Sequence, residues 1–158
     1  MGQGDPLASR RTDVEGDRQL AAGPGAGDET AQLRAALCDF VRAAGTRRKL
    51  PVTFHVGTPG GAQVSLPHDP CFDAGLRADL VERAIDGLEG SAGERPCPWL
   101  TRTGDLVPGD ADFAWFAAAR EAFGRHGVPL PGFFVLTRYG WLNLANEDVI
   151  RWHRVRAR

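Results

Sequence analysis

The chain has 158 residues, 42% of them hydrophobic and 25% charged, with a formal net charge of −1; that is the make-up of one globular domain with room for a core, and a second domain would not fit comfortably. A balanced charge and a sequence pI near 6.4 exclude a global attraction to nucleic acid or to an anionic membrane surface, so a charged partner has to be met by a local patch. No apolar run approaches a membrane span and the N-terminus lacks the pattern of a signal peptide, so the expected compartment is the cytoplasm.

Cys38, Cys71 and Cys97 are an odd, scattered set, expected to be reduced thiols rather than a disulfide framework. Lys49 is the only lysine, and with abundant Ala and Gly the arginine preference reads as the codon bias of a GC-rich bacterial genome. Arginine enrichment alone is therefore no sign of anion binding. Residues 1–27 carry Gly23-Pro24-Gly25 and no apolar periodicity, which predicts a disordered tail. Residues 28–158 are expected to form a single α/β domain with a basic C-terminal end.

From Asp28, Leu33, Leu37, Phe40, Val41 and Ala44 recur at helical spacing, with Gly45 as the stop. After the basic run Arg47-Arg48-Lys49, Val52, Phe54 and Val56 alternate with Thr53 and His55 as in a half-buried strand, and Thr58-Pro59-Gly60-Gly61 turns it toward a short partner at Gln63 to Leu66. Pro67 to Cys71 is a proline-interrupted loop. Asp73 is placed to cap a second helix with the apolar stripe Leu76, Leu80, Val81, Ala84, Ile85 and Leu88, ended by Gly87 and Gly90. A short strand at Trp99 to Thr101 leads to a third helix from Asp110, whose expected buried stripe is Phe113, Phe116 and Phe123 with Ala117 and Ala119, stopped by Gly127. Phe133 to Leu136 reads as a central strand covered on both faces, Trp141 to Leu144 as its antiparallel return, and Val149 to Val155 as an edge strand.

One stretch occurs twice: Leu100-Thr101-Arg102-Thr103-Gly104 and Leu136-Thr137-Arg138-Tyr139-Gly140. With a helix between them, the two copies form a strand–helix–strand unit whose strand ends share one sheet edge, the usual place for a ligand. Arg102 and Arg138 converging on an anion is one reading of the pair; two exposed turn arginines is the plainer one, because no phosphate-cradling motif accompanies them. His68-x-x-Cys71 with Cys97 and His55 supplies donors of the kind a zinc requires, yet no second tight pair completes the set. Arg151, Arg154, Arg156 and Arg158, with Trp152 and His153, make a small basic end suited to weak, salt-sensitive nucleic-acid association. Trp99, Trp115, Trp141 and Trp152 are expected to be packing anchors rather than a stacking platform.

From Gly57-Thr58 onward, the stretches Trp99-Leu100-Thr101-Arg102-Thr103-Gly104, Pro108-Gly109-Asp110-Ala111-Asp112, Gly132 to Leu136 and Trp141 to Leu144 resemble, in order, the JAB/MPN domain in its RadC-type form. The resemblance implies a mixed central sheet with flanking helices, the cytidine-deaminase-like architecture. Two histidines and an aspartate hold a catalytic zinc in that family, aided by a glutamate on an earlier strand. Here Trp99 and Thr101 stand at the histidine positions, Gly109 replaces a serine, no acidic residue lies on the Val52 to Val56 strand, and only Asp112 remains. The resemblance therefore implies a degenerate domain with no metal, no cofactor and no catalytic residues, acting as a protein-binding or scaffold module. The expected surface is the edge with Arg102, Thr103, Arg138, Tyr139 and Trp141. A zinc- or thiol-dependent hydrolase centred on His68, Cys71 and Cys97 is the competing reading, and nucleic-acid association through the arginine-rich end is the third. No membrane partner is expected, and the oligomeric state is left open.

Overall fold

A computed structural model describes residues 26–89 and 95–152 of the chain. The elements run α1 (Ala26–Ala44), β1 (Thr53–Gly57), β2 (Gln63–Pro67), α2 (Ala74–Asp86), β3 (Cys97–Thr101), α3 (Asp110–Arg125), β4 (Phe134–Thr137), β5 (Gly140–Asn143) and β6 (Val149–Arg151). The helix α1 opens two residues before the expected boundary, so Ala26 and Gly27 belong to the domain; the disorder expected for the rest of the tail lies outside the described residues.

The strands form one mixed sheet in the order β2-β1-β3-β4-β5-β6. Its single parallel pair is β3 with β4, joined through α3; the other neighbours are antiparallel. Alternation along the strands divides the core in two. On one face Phe54, Val56, Leu100, Val135 and Leu142 meet Val81 and Ile85 of α2 and Trp115 and Phe123 of α3. On the other, Trp99, Phe134, Leu136 and Trp141 meet Leu33 and Leu37 of α1. Every residue of β3 and β4 is buried, which for β4 is what its continuous apolar run predicts of a strand covered on both faces. The fold is thus mixed α/β, a six-stranded mixed sheet between helices. Among the described residues no helix is long and apolar enough to cross a membrane.

Two expected stripes hold in most of their residues and fail at Leu76, Phe113 and Ala117, which are exposed. In α3 the buried side chains are Asp112, Trp115, Ala118, Ala119, Ala122 and Phe123, while Phe113 is 54% exposed. A phase set by Trp115 and a row of alanines lets α2 lie close, and Phe113 is one residue out of that phase. For the same reason Leu76 of α2 faces outward, and Ala78, Val81, Ala84 and Ile85 face in. Asp73 caps α2 as expected, its side chain accepting from the Leu76 amide at 2.8 Å. The proline before Trp99 does not delay β3, which pairs with β1 from Cys97; pairing with β4 begins only at Trp99.

The sheet ends in β2 on one side and β6 on the other. The three residues of β6 are exposed, and the expected continuation through His153 to Val155 lies outside the described residues. Its pairing depends on Gly140, which opens β5 at φ +133° and would set an added Cβ 1.9 Å from the Ile150 carbonyl oxygen. No side chain fits there and few tolerate that φ. Gly140→Ala is expected to separate β6 from β5 and to lower stability by more than about 1 kcal/mol, read as a lower urea midpoint with faster amide exchange at Trp141 and Asn143, whose N–H groups face β6. Unchanged exchange at both would refute this placement.

Candidate functional site

Because β3 and β4 are parallel, the two copies of the repeated turn leave the sheet at one edge, as the strand–helix–strand reading requires. The antiparallel strand β1 begins at that edge, with Thr53 opposite Thr101, so the connection from α1, which carries Arg47, Arg48 and Lys49, arrives there too. Three connections therefore meet at one place.

The first is held by Arg102. Its amide donates to the Leu136 carbonyl, and its side chain turns back under the loop it begins. Nε donates to Asp112 Oδ1 at 2.9 Å and Nη2 to Asp112 Oδ2 at 2.8 Å, a bidentate charge-assisted pair. Nη1 donates to the Thr103 and Asp105 carbonyls at 3.1 and 3.0 Å, and Nη2 to the Val107 carbonyl at 2.9 Å. All five guanidinium hydrogens are used. Asp112 Oδ2 also accepts the Gly109 amide at 2.9 Å, closing the first turn of α3, where the N-cap glycine has no side chain to offer. The side chains are 12% and 1% exposed. Arg102, expected to contact a ligand, is instead the fastener of the loop, because its donors are consumed by its own chain.

Arg138 of the second copy does something different. Its Nη2 donates to the Arg47 carbonyl at 3.0 Å, which ties the α1–β1 connection to the edge. Thr103, Arg138 and Tyr139 line an open concavity of about 320 Å³ with Arg48, Gly104 and Asp105. Tyr139 is 47% exposed, whereas Trp141, expected as a surface anchor, is 3% exposed and packs beneath α1 and against Trp152. Strand alternation turns Trp141 into the core. Three of the five expected residues are thus brought together, with Arg48 added. The antiparallel setting of β1, which places the basic run at this edge, is the signal that would have identified Arg48.

The competing hydrolase set does not assemble. His68 follows β2 beside the start of β1, while Cys97 pairs with Gly57 at its end, so the length of β1 separates them. His68 Nδ1 accepts the Trp115 indole N–H at 3.0 Å. Cys71 is exposed, and Cys97 is buried. Burial, and then the Glu29 carboxylate, push the Cys97 thiol far above its ordinary range, which keeps it protonated and unreactive. Among the described residues the one trio able to gather round a metal is Asp86, Glu89 and His126, where α2 and α3 end. Of the basic C-terminal end, Arg151 is exposed and Trp152 packs on Trp141 with Arg34 over its ring at 4.3 Å, and Arg154, Arg156 and Arg158 lie outside the described residues.

A second polar cluster, not foreseen, lies on the α1 face. His55 Nδ1 meets Ser65 Oγ at 2.7 Å and Nε2 meets Thr101 Oγ1 at 2.8 Å, with the ring stacked on Trp99. A neutral ring donates to one hydroxyl and accepts from the other, so the chain links β2, β1 and β3 through side chains. Among the described residues both ring nitrogens are bonded to hydroxyls and neither to a carboxylate, so the arrangement ties strands together rather than activating a nucleophile. A groove of about 240 Å³ between Phe40 and Asp39 of α1 and these strands opens beside it.

No known protein family, curated protein or solved structure matches this chain.

Two outcomes follow from these clusters. Arg102→Met and Asp112→Leu should each cost roughly 3–5 kcal/mol by orphaning a buried charge; the double variant should cost at least about 1 kcal/mol less than their sum, measured by urea unfolding. Strict additivity would mean the two groups are not coupled. For His55, burial lowers the pKa to about 4 from an unfolded value near 6.5. The unfolded chain then binds more protons between those limits, so stability is full above pH 6.5 and falls as pH drops toward 4, by up to roughly 3 kcal/mol. Thermal melts from pH 7 to 4.5 should show this loss, and His55→Gln should flatten the profile in that window.

Proposed function

We propose that this chain is a non-catalytic protein-binding or scaffold module, a degenerate domain of JAB/MPN-like architecture. The non-catalytic part of the reading is supported by the positions that the resemblance matches to zinc ligands. Trp99 and Thr101 point into the α1 side of the sheet, where Trp99 is buried and Thr101 bonds to His55. Asp112 lies on the opposite side, at the start of α3. These residues do not fit a metal: two are not ligands, and the third has both oxygens engaged.

The observation that carries the reading is the Arg102–Asp112 pair. A guanidinium supplies the positive charge that the aspartate needs, and it does so without an open coordination position or a bound water to activate. Metal-assisted hydrolysis has no starting point in such a site. The edge retains a concavity with an exposed tyrosine between arginines, the side-chain types that anchor protein interfaces.

The test is to place a photo-crosslinking amino acid at Tyr139, and as a control at Arg120 on the exposed face of α3, in the host cell. A discrete protein adduct from position 139 and none from 120 is the expected result. No adduct at 139, or stoichiometric zinc in the purified chain that disappears with Asp112→Asn, would overturn the reading.

A further inference from the structure

The loop fastened by Arg102 has a second face. Its Thr103, Asp105 and Val107 carbonyls all turn inward to the guanidinium. Across a trans peptide the following N–H points the opposite way, so the Gly104 and Leu106 amides are aimed away from Arg102. Neither has a backbone acceptor among the described residues. Gly104, at φ +102°, makes its turn in the wall of the edge concavity. Leu106 is buried in the core, so of the two only Gly104 lies at the edge, a backbone donor beside a glycine turn of the kind that receives an anion.

The side chains round the same concavity agree. Arg48 and the Thr103 hydroxyl have no partner among the described residues, and Arg138 uses only one donor, on the Arg47 carbonyl. Arg47 and Lys49, both exposed, extend the positive rim along the connection from α1. The carboxylate of Asp105 also lines the site and is likewise unpaired. Two guanidinium groups against one carboxylate leave a single net positive charge within the concavity. That balance suits a monovalent planar carboxylate, which matches an arginine fork, and opposes a dianionic phosphate. Tyr139 supplies an aromatic ledge for the residue next to the bound group.

We infer that the edge concavity of Arg48, Thr103, Gly104, Arg138 and Tyr139 binds a carboxylate side chain of an acidic peptide segment on the partner protein. The inference rests on the proposed function and names the chemistry of its partner. One carboxylate sits between the Arg48 and Arg138 guanidinium groups and accepts from Gly104; neighbouring acidic residues lie along Arg47 and Lys49.

The experiment uses the full chain and a fluorescein-labelled hexaglutamate peptide, followed by fluorescence anisotropy at low ionic strength. Arg48→Gln, which breaks no internal contact, is expected to weaken binding about tenfold, and Arg138→Gln by a similar factor, with unchanged melting for the first. Asp105→Asn is expected to tighten binding a few-fold by removing the opposing charge. Binding indifferent to Arg48→Gln and Arg138→Gln would overturn the inference. So would tighter, Arg48-dependent binding of a labelled oligothymidine of equal charge, which would make the site one for phosphate. If hexaglutamate fails to bind while the position-139 adduct forms and survives Arg48→Gln, the carboxylate inference falls and the edge reading stands; absence of the adduct in the parent chain removes the edge reading itself.

Discussion

The Arg102–Asp112 pair is the constraint on which the edge depends, because it decides three things with one side chain. It draws the carbonyls of Thr103, Asp105 and Val107 round a single guanidinium, and so gives a stretch without helix or ladder its backbone partners. It fixes the start of α3, since the carboxylate that receives the guanidinium also receives the Gly109 amide. Through α3 it sets the phase that puts Trp115 and Phe123 into the core and leaves Phe113 outside. Lysine would not serve: three donors on a point charge cannot hold a carboxylate at two atoms and three carbonyls at once.

The sheet then separates two kinds of interior. Toward α2 and α3 it is apolar and aromatic, with Phe54 stacked on Trp115 at 4.8 Å and Phe116 against Phe133 at 5.3 Å. Toward α1 the same strands carry Ser65, His55 and Thr101, three polar residues whose mutual bonds cross from β2 to β3. A half-buried imidazole is tolerated there because both nitrogens are satisfied in the neutral state, and this is also why acid should weaken that face first. The edge site belongs to neither interior. It is built from the connections that leave the sheet, over a scaffold whose central strands are fully covered.

Much of this was legible in the residues themselves. Alternation at Val52 to Val56, the apolar run at Phe133 to Leu136 and the glycines after each helix located the elements, since burial on one or both faces imposes those periods. The shared edge followed from a strand–helix–strand unit ending twice in Leu-Thr-Arg-x-Gly. What stayed hidden depended on pairing between distant strands. The link of His55 to Ser65 and Thr101 exists only in the antiparallel register of β1, and Arg48 reaches the edge only because β1 runs against β3. In α3, Phe116 and Phe123 pack inward as their hydrophobicity suggests, while Phe113 gives way to Trp115 and a row of alanines, because close helix packing favours small residues at the contact. Trp141 was expected outside because a tryptophan beside an arginine turn looks like an anchor, and a single step of strand alternation placed it inside.

The two copies of the turn show why a repeated motif need not carry a repeated role. After Arg102 the chain runs through a loop before α3, so there are carbonyls to gather and an aspartate ten residues on to answer the charge. After Arg138 only Tyr139 precedes Gly140 and the return strand, so nothing local can enclose a guanidinium, and the side chain reaches the Arg47 carbonyl across the edge. Connection length, not the motif, decides which arginine becomes structure and which stays at the surface. One arginine turned inward and one left outward then give the edge its character: carbonyls withdrawn from it and positive charge presented on it. That combination distinguishes this edge from a merely solvated pair of turns, because the loop folded round Arg102 sets Thr103 and Gly104 in one concavity with Arg48 and Arg138.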